Sequence, residues 1–268
     1  MSAALAQQHL AAGRVRDALA ALQLEVRAKP ADAKLRVFLF QLLCVLGQWP
    51  RAATQLEVCG ELDASTLAMV NTYREALKCE LVREAVFAGK TTPMVFGEPQ
   101  PWVAWLVEAL QADARGDRAG ATRLRAEALE MAPASVGSAN GEPFEWIADA
   151  DSRLGPVLEA IVNGRYCWIP FGALSALHMQ APEDLRDFVW QPAQLEFPNG
   201  GSSVALVPTR YAGVLDGADE AELLARKTAW DELAPDQYAG RGQRLLATSG
   251  VELGLLELRE LVISASAT

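Results

Sequence analysis

Glycines spaced about 34 residues apart constrain this chain more than any other feature. Gly13 and Gly47 lie 34 apart, and Gly116 follows 69 later, close to two more periods. Ala18, Ala52 and Ala121 each come five residues after one of these glycines, and Pro30 and Pro133 come 17 residues after Gly13 and Gly116. A glycine lets the chain turn sharply between helices, and a small alanine lets paired helices approach closely. A proline then stops the second helix, because it lacks the N–H and clashes in a helix interior. Apolar residues recur at helical spacing through residues 1–133, as in Leu19, Leu22 and Val26, or Leu39, Leu42, Leu43 and Leu46. The spacing predicts an array of helix pairs like the tetratricopeptide repeat; a plain helical bundle uses the same helices. The intermediate unit departs, with Leu81 at the expected glycine inside one long helix from about Ser65 to Gly89. Such an array presents a curved groove for another chain's helix or peptide.

Small residues and turn formers cluster from Ala134 to Pro143. We place the boundary there, between a tetratricopeptide-like helical repeat domain, residues 1–137, and a smaller acidic, β-rich α+β domain, residues 138–268. The fold class expected for the whole is therefore α+β. A helix is expected over Gly155–Val162, with Pro156 in its first turn and Asp149, Asp151 and Ser152 as acceptors near its start. Strands are expected over Arg165–Phe171, Ala176–Gln180, Val189–Phe197, Val204–Tyr211, Gln243–Ser249 and Glu257–Ile263. Asn199-Gly200-Gly201 reads as a hairpin turn, and a short helical insert is expected between Asp219 and Tyr238. Prolines in Trp168-Ile-Pro170 and Trp190-Gln-Pro192 suggest edge strands or bulges, and an open edge could accept a partner's strand.

The net charge of −10 is unevenly placed: residues 1–139 carry 15 basic and 15 acidic side chains, residues 140–268 carry 9 and 19. An acidic chain is a poor candidate for gripping nucleic acid or inserting at an anionic membrane. Only a concentrated basic groove among Arg14, Arg16, Arg27, Lys29, Lys34 and Arg36 could rescue nucleic-acid binding. Cys44, Cys59, Cys79 and Cys167 form no CxxC pair and read as buried free thiols, which points to a reducing cytoplasm. The N-terminus lacks a basic region followed by an apolar one, and the most apolar run, Val37–Leu46, is too short to cross a bilayer.

Several patches, in order, carry a family resemblance. They are Arg83-Glu-Ala-Val-Phe-Ala-Gly89, Pro93, Phe96-Gly-Glu-Pro99, Trp102 and Glu145-Trp-Ile-Ala-Asp-Ala-Asp151. Further on come Gly164-Arg-Tyr-Cys-Trp-Ile-Pro-Phe171, Pro182-Glu-Asp-Leu-Arg-Asp-Phe-Val-Trp190 and Leu256-Glu-Leu-Arg-Glu-Leu261. Together they resemble the ImpE/TagJ family of bacterial type VI secretion accessory proteins. The resemblance implies a helical-repeat N-terminal region and a distinct C-terminal domain. It also implies a cytoplasmic adaptor that engages the small subunit of the contractile sheath and assists the AAA+ ATPase that disassembles it.

Residues able to do chemistry are few. No GxSxG, GxxxxGK[ST] or GxGxxG occurs. Two histidines and scattered cysteines make a zinc site or other metal centre unexpected, and no cofactor is implied. A hydrolase or transferase would have to use Cys167 with His178, or the carboxylates of Glu145, Asp149 and Asp151. The plainer reading is a packed thiol and a solvated, helix-capping acidic cluster. Trp102, Trp105, Trp146, Trp168, Trp190, Tyr166, Phe171 and Tyr211 read mainly as core. Tyr166, Trp168 and Trp190 would anchor a partner if partly exposed. Within the array, Phe38, Gln41, Asn71, Arg74 and Lys78 interrupt or flank apolar helices and are the candidate groove contacts.

Overall fold

The computed structural model describes residues 2–98, 100–213, 215 and 217–264; Pro99 of the Phe96–Pro99 motif lies outside them. Seven helices come first: α1 (Ser2–Ala11), α2 (Val15–Ala28), α3 (Ala33–Val45), α4 (Trp49–Leu62), α5 (Leu67–Phe87), α6 (Pro101–Ala114) and α7 (Arg118–Met131). Gly13, Gly47 and Gly116 sit in the turns of the pairs α1/α2, α3/α4 and α6/α7, at φ of +78°, +66° and +79°. In each turn the glycine N–H bonds a carbonyl three residues back, and the next N–H bonds one five residues back. This doubly bonded ending satisfies the last free carbonyls of the first helix and requires left-handed backbone, which glycine adopts at no steric cost. Ala18, Ala52 and Ala121 are all fully buried, as close helix approach demands. Gly89 ends α5 with the same pair of bonds, so α5 runs unbroken through Leu81 and forms no hairpin there.

The described residues also hold fourteen strands and one short α-helix, α8 (Glu220–Leu223). The strands are β1 (Met94–Val95), β2 (Gly137–Ala139), β3 (Glu142–Phe144), β4 (Ile147–Asp149), β5 (Val157–Val162), β6 (Arg165–Pro170) and β7 (Ala176–Met179). Then follow β8 (Trp190–Glu196), β9 (Ser202–Pro208), β10 (Thr228–Ala234), β11 (Gln237–Gly242), β12 (Leu245–Thr248), β13 (Glu252–Gly254) and β14 (Glu260–Ile263). Nine of them form one sheet in the order β1-β6-β5-β9-β8-β7-β14-β2-β3. The α+β class is as expected: a helical N-terminal part and a sheet-rich C-terminal part. The two parts interlock, because β1, from between α5 and α6, pairs with β6 at the sheet edge.

The sheet lies between two apolar clusters. Val157, Ile161, Tyr166, Trp168 and Trp190 face the helices, while Leu158, Ala160, Val162, Cys167 and Ile169 pack on the opposite face. Residues 157–162 are therefore buried on both sides. This corrects the expected helix over Gly155–Val162: the segment is strand β5, and Asp149 and Asp151 cap no helix there. A strand covered on both faces loses the alternation that would reveal it. The insert between Asp219 and Tyr238 is helical only over the four residues of α8; the rest opens the β10–β11 hairpin. The Asn199–Gly201 turn joins β8 and β9 as expected. Pro192 lies in an internal strand, between β9 and β7, and the β7 ladder starts one residue later at Ala193.

Candidate functional site

The acidic cluster singled out in the sequence is dispersed by the fold. Glu145 is exposed, whereas Asp149 and Asp151 are buried in a charge network at the junction of helices and sheet. Arg83 of α5 meets Glu159 of β5 through Nε–Oε1 at 2.7 Å and Nη2–Oε2 at 2.9 Å, and lies 3.5 Å from Glu80. Glu159 also takes Arg244 at 3.4 Å, and Arg244 pairs with Asp149 at 2.8 Å. Asp151 pairs with Arg153 and accepts the Gly240 N–H. Each of these ions meets at least one of opposite charge, which is the condition for burying ions at all.

Electrostatics follows from that pairing. Burial opposes ionisation of Glu159, but Arg83 and Arg244 outweigh it and hold the carboxyl down at about 2. At Asp149 burial wins over Arg244, and the nearby Asp151 adds to it, so the carboxyl is pushed up to about 6. Arg210 touches carbonyls instead of carboxylates: its guanidinium donates to Val45 and Cys44 at the end of α3 and to Leu223 of α8. Two helix C-termini, each with negative dipole ends, thus share one buried cation. This assembly braces the junction of helices and sheet.

The aromatic candidates belong to the same brace. The Trp168 indole donates to the Tyr166 hydroxyl, which donates to Glu159, and the Trp190 indole donates to Glu80. Tyr166, Trp168 and Trp190 are 4%, 0% and 0% exposed, so they are core residues and present no surface to a partner. The exposed tryptophans are Trp146 and Trp230. Cys167 and His178 do not form a dyad either. They lie on β6 and β7, separated by β5, β9 and β8, about 19 Å of sheet at strand spacing. Burial raises the Cys167 thiol pKa, which disfavours the nucleophilic thiolate.

Four of the five groove candidates divide between two clefts. Phe38 and Gln41 lie in a groove of about 570 Å³ bounded by α1, α3, the turn over residues 185–188 and the chain after α8. Phe38 is half-buried and reachable. Gln41 is already engaged, donating to both carboxylate oxygens of Asp184 at 3.0 and 3.1 Å, because the chain's own 185–188 turn packs on α3. Arg74 and Lys78 line a second cleft of about 310 Å³ between α4 and α5, with Trp49, Leu77 and Leu81. Arg74 bonds Asn71 at 3.2 Å and Lys78 bonds Glu75 at 2.7 Å; Asn71 itself is exposed and lines neither cleft.

No basic groove gathers the early cations. Arg14 pairs with Asp17, Arg16 with Glu220, and Arg36 reaches the Pro30 carbonyl and Gln55. Sequence reasoning missed Arg226, which joins Lys34 at the rim of the larger groove. It also missed the junction arginines, of which Arg83 alone stood inside a quoted motif. Among the described residues no helix is long and apolar enough to cross a membrane.

Residues 141–262 match the family described as ImpE protein. Over 259 residues the chain is 52% identical to the type VI secretion system accessory component TagJ of Pseudomonas aeruginosa, spanning 97% of this chain and 91% of that protein. A crystal structure of a Vibrio parahaemolyticus protein has the same fold, with a TM-score of 0.89 and 25% identity across 97% of each chain. Half-identity across nearly the whole length leaves no room for a different assignment: the chain belongs to the ImpE/TagJ family of type VI secretion accessory proteins.

Proposed function

We propose that this chain is a non-enzymatic, cytoplasmic adaptor of a bacterial type VI secretion system. In this reading it binds the small subunit of the contractile sheath and assists the AAA+ ATPase that disassembles the sheath. Residues 1–137 take the partner, and residues 138–268 hold the helices in the binding arrangement. The observation that carries the reading is the 52% identity to an accessory component over 97% of the chain. The geometry supports it: an apolar groove and a smaller cleft open on the helical part, while Arg83 and Glu159, and Arg244 and Asp149, are buried and committed to one another. Affinity capture with the purified chain against the sheath small subunit and the ATPase tests it. Retention of the sheath subunit is expected; retention of neither overturns the reading.

A further inference from the structure

We propose that the outer edge of β10 takes a basic, extended segment of another protein as an added strand. The proposal concerns the C-terminal part and is independent of the adaptor reading. β10 spans seven residues and is the longest strand at an edge of the described sheets. Its partner β11 is covered on the far side. There the Tyr238 N–H and carbonyl bond Ser152, the Gly240 N–H bonds Asp151, and the Gly242 carbonyl takes the Tyr211 N–H. In an antiparallel ladder, residues whose main chain points away from the partner strand sit in the pairs that exchange no bonds, so their opposites point outward as well. Those opposites on β10 are Thr228, Trp230 and Glu232. Among the described residues no group bonds the outward N–H and C=O of Trp230 or Glu232. Such a row of unpaired main-chain groups is a template for another strand.

Side chains choose the guest. Trp230 and Glu232 share one face of the hairpin with Tyr238, and Trp230 leans on Tyr211 with ring centroids 5.5 Å apart. Tyr211 fills the space over Gly240, where an added methyl would lie 2.2 Å from its ring. Trp230 and Tyr238 are 38% and 41% exposed, so the row of rings is open to a long cation laid across it. On the other face Asp231 pairs with Arg241 at 3.3 Å, but exposed Glu232 meets no cation among the described residues. Asp236, in the turn of the hairpin, adds another exposed carboxylate. Charge on an edge bars the wrong strand. Here it is acidic, within a half carrying 19 acidic and 9 basic side chains, so a second copy or an acidic segment brings like charges into one ladder. A strand with Lys or Arg at alternate positions supplies the ion that Glu232 lacks and the cation that the rings accept.

The test uses the full chain and two fluorescent peptides of about ten residues, one alternating threonine with lysine and one threonine with glutamate. Anisotropy titration is expected to favour the lysine peptide by at least about tenfold, with the preference shrinking as salt rises. Methylating the main-chain nitrogens of its lysines keeps every charge and removes the N–H groups that a ladder needs, and is expected to weaken binding at least about tenfold. Glu232→Lys, at an exposed position, is expected to erase the preference for lysine while leaving the melting temperature near wild type. Equal affinities for the two peptides, unchanged binding after methylation, or a preference that survives Glu232→Lys each overturn the proposal. A dimer in sedimentation velocity that the lysine peptide dissociates also overturns it, by giving the edge to a second copy.

Discussion

Arg83 and Glu159, 76 positions apart in sequence, face each other in a two-point ion pair at the seam between α5 and β5. Both are buried, and each has a second partner of opposite charge: Glu80 for Arg83 and Arg244 for Glu159. The Arg83 guanidinium also donates to the Arg210 carbonyl at 2.7 Å, so one side chain links α5, β5 and the chain that follows β9. The seam is one of the buried polar contacts that hold the helical part on the sheet, beside Trp190–Glu80 and Arg210–Val45.

Removing one partner leaves the other charged and desolvated. Glu159→Gln is expected to lower unfolding free energy by roughly 3–5 kcal/mol, read from urea titration, because the penalty of an uncompensated buried charge exceeds the worth of one hydrogen bond. The double variant Arg83→Met with Glu159→Leu is expected to lose less than the sum of the two singles. Additive losses would mean the two side chains act separately.

Acid titration separates the two unusual carboxyls. Glu159 is held below its ordinary 4.5, at about 2, so its stabilisation is complete above 4.5 and is lost as pH falls toward 2. The stability gap between wild type and Glu159→Gln is therefore expected to close over that interval. Asp149 has the opposite sign, because burial lifts it from 3.8 to about 6. Its folded form binds the proton more tightly, so wild type is expected to gain on Asp149→Asn as pH falls from about 6 to 3.8. Parallel curves for the two variants would contradict the assigned charges.

The turn glycines differ in what surrounds them. Gly116 has φ +79° and nothing within 4 Å of an added methyl, so Gly116→Ala is expected to cost only the left-handed strain, about 1–2 kcal/mol. Gly89 has φ +66° and would set its methyl 2.7 Å from the Leu110 carbonyl oxygen and 2.6 Å from Ala114 Cβ. Since helix backbone cannot retreat as a side chain can, Gly89→Ala is expected to cost clearly more, as thermal denaturation of the two variants will show.

What could be read from sequence was what is encoded locally. The glycine–alanine spacing located the three helix-pair turns because each needs only a left-handed residue and one close contact nearby. Strands β6 and β8 stood out through the aromatic and β-branched residues of Arg165–Phe171 and Val189–Phe197. Strand β5 did not, since cover on both faces removed its period. Strand β10 hid for the reverse reason: Trp230, Asp231 and Glu232 are all exposed, so no apolar stripe marks it. The site was legible by halves. Phe38 was named from its helix, but Lys34 was named only among the six cations of a basic groove, and Arg226 carried no signal. Only the fold brings residue 226 beside α1 and α3. Likewise Tyr166, Trp168 and Trp190 were read as core, or as partner anchors if partly exposed, and the fold decides for core by bonding their polar atoms to buried carboxylates and to one another.

The central claim is that the helical part holds the sheath small subunit in the groove beside Phe38. Co-elution of the purified chain with that subunit on size-exclusion chromatography, run in parallel with Phe38→Asp and with Leu81→Asp in the α4–α5 cleft, addresses it most directly. The account predicts a complex with wild type and with Leu81→Asp, and none with a folded Phe38→Asp. A complex that survives Phe38→Asp but not Leu81→Asp, or no complex with wild type at all, would contradict it.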